Sequence, residues 1–414
     1  MSKYQVNMTH DVIIIGAGAF GCSLAFHLAQ KGKRVALLDR FATASQTSPR
    51  AAGLFKQIQS TPTRTRLAVL SVNKLLNFEK ETGVPSPAVR SGSLMVARTS
   101  EHAEYVKREA TQAREWGAEV ELVDAPNAHR LMPMMRAEGI LASAHSPNDI
   151  YIEEPIQLLD AYLQAATRLG VEVLPHTTVT GIRVKNGATQ GVITARGEMD
   201  APIVVDAAGA WARAVASTTG TRLPIVPVRH QLYITHPIAG AEPLYPIIRF
   251  VDSAVYVRPA RKGLMLGGFE AEPMPFNVQA HADFSMEKIP LDFSILAQQT
   301  TTVQGSIPAL SDTTIQEHRG GLFTMTADGH FLAGPIPDVR GFWALTGCNG
   351  SGFSFSPALG QVLSEWIVDG EPSIDLAEFS PARFRSGGAD KPLDDAQLTA
   401  ACVWQYAHYY DPSP

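Results

Sequence analysis

The 414-residue sequence predicts a mixed α/β fold, in which a helix-flanked parallel sheet carries an inserted antiparallel sheet. Three observations predict it. An apolar, β-branched run, Asp11-Val12-Ile13-Ile14-Ile15, leads into Gly16-Ala17-Gly18-Ala19-Phe20-Gly21, a helical stretch to about Lys31, and a second apolar run ending at Asp39. Near the other end, Gly347, Gly350 and Gly352 form another glycine-rich turn entering a helix. Between them, residues 222–330 are strand-like and punctuated by Pro and Gly, as in antiparallel sheets.

The first unit is strand, glycine turn, helix, strand, acid. Gly16 permits a tight turn, Gly18 lets the backbone approach a pyrophosphate, and Gly21 lets the helix pack on the strand. The helix start supplies free N–H groups and the positive dipole end. Asp39 follows Gly16 by 23 residues, where a carboxylate accepts hydrogen bonds from ribose hydroxyls. An acid there disfavours a 2′-phosphate, and so NADP. A bare GxGxxG is weak; these flanks make it specific.

Further along, 67–82 reads as a helix stopped by Gly83 and Pro85, 89–97 as a strand, and 101–116 as a helix. Residues 155–169 form a helix with Pro near its start and Gly170 past its end. Short strands follow at 171–174 and 177–184. The run 203–211 is an apolar strand breaking into small residues, which lets a backbone pass close to a flat ligand or to the first glycine turn. Strands are expected at 226–235, 254–259, 264–269 and 341–345, and a helix at 357–368. The run 61–66, with Arg64 and Arg66, reads as a solvated face. The tail from Ser386, ending in Trp404, Tyr406, Tyr409 and Tyr410, is expected to pack on the surface or on a second subunit. The expected division is a discontinuous dinucleotide unit (1–85, 150–220, 325–385), a substrate unit (86–149, 221–324) and the tail 386–414.

Hydrophobic residues make up 45% and charged residues 18%, which excludes general disorder. A net charge of −5 gives no case for nucleic acid or an anionic membrane. The polar N-terminus has no signal-peptide core, no apolar run is long enough to span a bilayer, and three scattered cysteines fit a reducing compartment. A cytoplasmic location is therefore expected. The twelve histidines show no HxH or HExxH pairing, so no metal is expected.

The chain resembles the D-amino-acid oxidase superfamily, in the branch of sarcosine, glycine and dimethylglycine oxidases and dehydrogenases, over roughly residues 10–385. The fingerprint with Asp39 carries the resemblance. So do Ser48-Pro49-Arg50-Ala51-Ala52-Gly53, the strand Val205 to Trp211, Ala327-Asp328-Gly329-His330, and Gly347 to Phe353. It implies a Rossmann-like FAD-binding domain of the glutathione-reductase type. FAD contacts then fall on Gly16, Ala17, Gly18, Ala19, Phe20, Gly21, Asp39 and Arg40. Further contacts fall on Ser48, Arg50, Ala51, Ala52, Gly53, Leu54, Val179, Ala207, Ala208, Gly209 and Trp211, and on Asn349, Gly350, Ser351, Gly352 and Phe353. The dimethylglycine type fits best: Pro227-Val228-Arg229-His230-Gln231 matches its catalytic histidine motif, and Pro246-Ile247-Ile248-Arg249 leads to the matching Tyr256. The folate-binding domains of longer relatives are expected to be absent.

Departures carry information as well. Flavin-linking histidine and cysteine are replaced at Arg50 and about Gly321, so FAD is expected to be non-covalent, with Cys348 the residual candidate for attachment. An oxygen-activating lysine matches Met265, and substrate-carboxylate ligands match Ser354 and Phe323, so substrate recognition is rebuilt. The expected reaction is oxidation of a secondary or tertiary amino acid to an imine that hydrolyses, with oxygen or an electron-transfer protein as acceptor. Alternatives are a primary or cyclic amino-acid oxidase or dehydrogenase, a flavin subunit of a larger complex, or a plain NAD dehydrogenase. His230, with a near-neutral pKa, and its partner Tyr256 are the catalytic candidates. Arg258, on the same strand face as Tyr256, is the carboxylate candidate, with Lys56 and Arg50 as substitutes. Trp211 is expected against the fingerprint helix, and Cys22 as a buried small hydrophobe. A homo-oligomer is left open.

Overall fold

The computed structural model describes residues 10–281, 283–384 and 393–411. A six-stranded sheet lies at its centre, in the order Leu332–Pro335, Phe342–Thr346, Ile203–Asp206, Val12–Ile15, Val35–Leu38, Glu172–Leu174. All neighbours are parallel except the edge pair Leu332–Pro335 and Phe342–Thr346. Both faces are covered, which is why Val12–Ile15 and Val35–Leu38 are continuous apolar runs. Val12, Ile14 and Leu37 pack with the helices Ala19–Gln30, Ile156–Arg168 and Gly352–Asp369. Ile13, Ile15 and Leu38 face the meander Val179–Lys185, Ala188–Thr194, Gly197–Asp200 and the helix Ala212–Ser217.

A second, eight-stranded sheet runs Ile315–Thr326, Ile225–Thr235, Gly263–Gly268, Val255–Ala260, Ile247–Phe250, Ser93–Ala97, Ala142–Ser146, Glu121–Val123. It is antiparallel except between Ile247–Phe250 and Ser93–Ala97. Its first five strands set the register of the site described below.

Several elements depart from the sequence reading. The helix expected at 67–82 begins earlier, at Pro62–Leu76, because Thr61 caps Arg64 N–H and Pro62 takes the first position; Phe78–Thr82 is a separate turn. The run 61–66 is a solvated face only in part: Arg66 is exposed, but Arg64 is not. Arg64 is buried, donates to Gly329 O and lies over the Phe331 and Phe355 rings. The strand 89–97 divides into Ala88–Arg90 and Ser93–Ala97, which join different sheets. The last long helix starts at Gly352, with Pro357 inside it. Pro357 has no N–H for Phe353 O, and Ser356 Oγ donates to that carbonyl instead. Among the described residues no helix is long and apolar enough to cross a membrane, and no cluster of His, Cys, Asp or Glu is arranged to hold a metal.

Candidate active site

The glycine turn is built by steric exclusion. Gly16 sits at φ +107°, where a Cβ would lie 2.4 Å from Ala207 O, and a Cβ on Gly21 would lie 1.8 Å from Gly16 O. The fingerprint helix therefore packs against both its own strand and the strand Ile203–Asp206. Its N-cap, Gly18, offers no side-chain acceptor and its first turn holds no acid, so no negative charge competes for its positive end; Ala19 N donates to Ser48 Oγ at 3.0 Å. Asp39 accepts from Ala17 N and Phe41 N, both at 2.8 Å. Burial outweighs these bonds and raises its carboxyl above the usual range.

A cavity of about 320 Å³ opens over this turn. Gly16, Gly18, Ala19, Phe20, Asp39 and Arg40 line it from the first unit, with Ser48 and Ala51 beside them. Val179, Ala207, Ala208, Gly209 and Trp211 close one side, and Gly350, Gly352 and Phe353 the other. Ala17 and Gly21 lie outside the lining: the first gives its N–H to Asp39, the second packs the helix. Asn349 also falls outside it, contrary to expectation. It stands at φ +44°, donates to Gly347 O and accepts from Thr326 N, so it shapes the turn rather than facing the cavity. Trp211 leans on Phe41 and Phe284, with Arg40 over its ring, rather than on the fingerprint helix. Cys348 lines the cavity, its Sγ accepting from Thr324 N. Cys22 is fully buried, and desolvation raises its thiol pKa.

A second cavity of about 100 Å³ adjoins the first, sharing Thr47, Ala51, Phe323, Gly350 and Phe353 with it. Arg50, Ala52, Gly53, Leu54, Ser351, Ser354 and Lys56 line it, together with His230 and Tyr256. His230 Nε2 lies 3.0 Å from Tyr256 Oη, and its ring stacks on Phe323 at 4.3 Å. Room for the phenol comes from Gly267, whose Cβ would lie 2.2 Å from Tyr256 Oη.

Three expectations change here. Desolvation pushes His230 down to about 3, so it is a neutral imidazole rather than a near-neutral base. Arg258 is fully buried outside the cavity lining. It donates to the carbonyls of Ala52, Ile152, Glu153 and Pro259 and lies over the Tyr151 ring, so four of its five N–H groups are held by the backbone. Strand alternation gave its face correctly but not its depth.

The tail is the third. The helix Asp395–Ala407 packs Leu398, Cys402 and Tyr406 against Val226, Val228 and Met325. Tyr406 Oη lies 2.7 Å from His230 Nδ1, and Tyr409 Oη 3.0 Å from Ser351 Oγ. Tyr409 also stacks on Phe269 at 4.0 Å, under Lys56 Nζ at 4.6 Å. Burial raises the Tyr409 phenol pKa, but Lys56 and Arg64 outweigh it and bring the phenol down to about 8. The tail therefore walls the small cavity. The i, i+4, i+8 spacing of Leu398, Cys402 and Tyr406, behind the Asp394–Gln397 capping box, was the available signal.

The family model described as FAD dependent oxidoreductase (DAO) matches residues 11–366. Human mitochondrial sarcosine dehydrogenase is 29% identical over 393 residues, covering 93% of this chain and 42% of that protein. Rat mitochondrial dimethylglycine dehydrogenase is 30% identical over 384 residues, covering 90% of this chain and 45% of that protein. The chain thus spans less than half the length of these relatives. Among solved structures, L-proline dehydrogenase from P. horikoshii superposes with a TM-score of 0.83 at 23% identity, covering 91% of this chain and 98% of that one. That likeness shows the fold.

Proposed function

The chain belongs to the FAD dependent oxidoreductase family, and on that premise we propose that it oxidises a secondary or tertiary, N-methylated amino acid to an imine, which water hydrolyses. The observation that carries the reading is the His230–Tyr256 pair, which opens on a small cavity continuous with the larger one. The names of the two curated relatives point the same way.

The larger cavity fits FAD by its own geometry: crossing glycines that leave no room for a Cβ, a helix start with no acid in its first turn and a half-buried acid at the second strand end. Gly18 and the helix start at Phe20 are suited to the pyrophosphate and Asp39 to the ribose, with Gly350 and Gly352 in the same lining. FAD, when bound, supplies the acceptor for two electrons. Attachment is non-covalent in this reading, since Arg50 and Gly321 supply no nucleophile, a Cβ at Gly321 would lie 2.9 Å from Thr47 Cγ2, and the Cys348 Sγ in the lining accepts from Thr324 N.

The chain's residues hold and dry the substrate. Phe269, Phe323, Leu232 and Phe353 give the small cavity an apolar wall that favours an uncharged amine. The C–H hydrogen would leave with its electron pair, as a hydride, to the two-electron acceptor that FAD supplies when bound, while the nitrogen lone pair forms the C=N bond. Tyr256 Oη faces the amine. His230, neutral and held between two phenols, relays hydrogen bonding between Tyr256 and Tyr406 rather than storing a proton.

Anaerobic mixing of FAD-loaded protein with sarcosine, N,N-dimethylglycine, glycine and proline tests this. Bleaching of the flavin by the N-methylated compounds, with formaldehyde released, is the expected result. Bleaching by glycine or proline alone replaces it with a primary or cyclic substrate, and a protein that takes up no FAD ends it.

A further inference from the structure

The lining of the small cavity contains Arg50, Lys56 and Arg249 but no acid. Two of these cations are engaged. Arg50 donates to the carbonyls of Ser45 and Gln46, and Lys56 sits over the rings of Tyr409 and Tyr410. Arg319, across the sheet, is paired with Glu154 and Glu317. Arg249 differs from all of them. It is 2% exposed, and among the described residues its Nε and Nη2 have no hydrogen-bond partner and it forms no ion pair. A buried guanidinium with open donors is costly until something accepts from it.

Register puts this cation at the chemistry. Arg249 stands directly opposite Tyr256 on the adjacent antiparallel strand, so both side chains share one face, with Cβ atoms roughly 5 Å apart. Tyr256 in turn meets His230. Two acids, Asp149 and Glu109, feel its charge, and neither pairs with it. Asp149 accepts from Ser93 Oγ and Gln57 N. Burial raises both carboxyls despite that cation.

We propose that Arg249 anchors the carboxylate of the substrate, while Tyr256 faces its nitrogen. The planar fork matches a carboxylate edge, which replaces the missing partner and fixes the C–H bond in one orientation. This rests on the amine-oxidation reading and names the group that selects amino acids over simple amines. Arg249 takes the role expected of Arg258.

The test uses the FAD-loaded protein, pyrrole-2-carboxylate as a non-oxidisable probe and pyrrole-2-carboxamide as its neutral control, titrated by calorimetry. Arg249→Met is expected to weaken the carboxylate about 10- to 100-fold and to leave the carboxamide unchanged. Arg249→Lys is expected to fall between. Equal carboxylate affinity in wild type and Arg249→Met overturns the proposal, as does a carboxamide bound by wild type as tightly as the carboxylate. If Arg249→Met fails to fold, the Arg249→Lys and wild-type comparisons decide. Efficient oxidation of N-methylpropylamine by wild type sinks the anchor and leaves amine oxidation standing. Arg249-dependent carboxylate binding in a protein that no amine reduces sinks amine oxidation and leaves the anchor.

Discussion

His230 shows how burial decides what a residue can do. Its identity and motif are local, but its protonation state follows from desolvation, which takes the imidazole down to about 3. Replacing it with Asn breaks the Tyr256–His230–Tyr406 chain and is expected to slow flavin reduction about 10- to 1000-fold in stopped flow. An unchanged rate removes His230 from the chemistry. The folded value lies below the ordinary 6.5, so the unfolded chain takes up this proton first. The stability His230 contributes is complete above about pH 6.5 and is lost as pH falls towards about 3. His230→Asn is therefore expected to flatten the acid side of the melting-temperature profile; matching slopes would refute the assignment.

Elements place those residues. The site stands on a row across four antiparallel strands, Arg249, Tyr256, Gly267 and Leu232 in mutual register, with His230 one repeat along. A register slip of one residue would turn the whole row away from the cavity. Gly267 is the most sensitive position in it, because any Cβ there collides with the Tyr256 phenol. Gly267→Ala is expected to displace Tyr256 and slow flavin reduction at least about tenfold while FAD content, read from absorbance, stays normal. A variant that keeps the wild-type rate would show that the phenol position is unimportant.

For the whole molecule, assembly of the central sheet has an electrostatic consequence. Asp206 lies between Ile15 and Ala344, strands drawn from opposite ends of the chain. Its Oδ1 accepts from Ala208 N, its Oδ2 has no partner among the described residues, and burial pushes the carboxyl up to about 8. The folded value exceeds the ordinary 3.8, so the stability from holding this proton is full below that value and is lost as pH rises through about 8. Asp206→Asn keeps the acceptor without the charge. Its melting temperature is expected to gain on wild type steadily between about pH 4 and about pH 8. Parallel profiles would mean that Asp206 is hydrated or paired.

The sequence by itself determined the dinucleotide unit, because its strand, turn, helix and acid lie within about thirty contiguous residues and act through local sterics and dipoles. It also determined the strand-rich insert and the pairing of His230 with Tyr256 as candidates. Only the tertiary structure decided that Arg258 is spent on carbonyls, that Asn349 shapes a turn and that Tyr406, 176 residues from His230, hydrogen-bonds to its imidazole. It alone leaves Arg249 unpaired. A lone arginine in the apolar strand Ile247–Phe250 is visible in the sequence, but the absence of a partner is not. Partners and solvent exposure are set by which distant strands and helices meet, and no window along the chain contains that information.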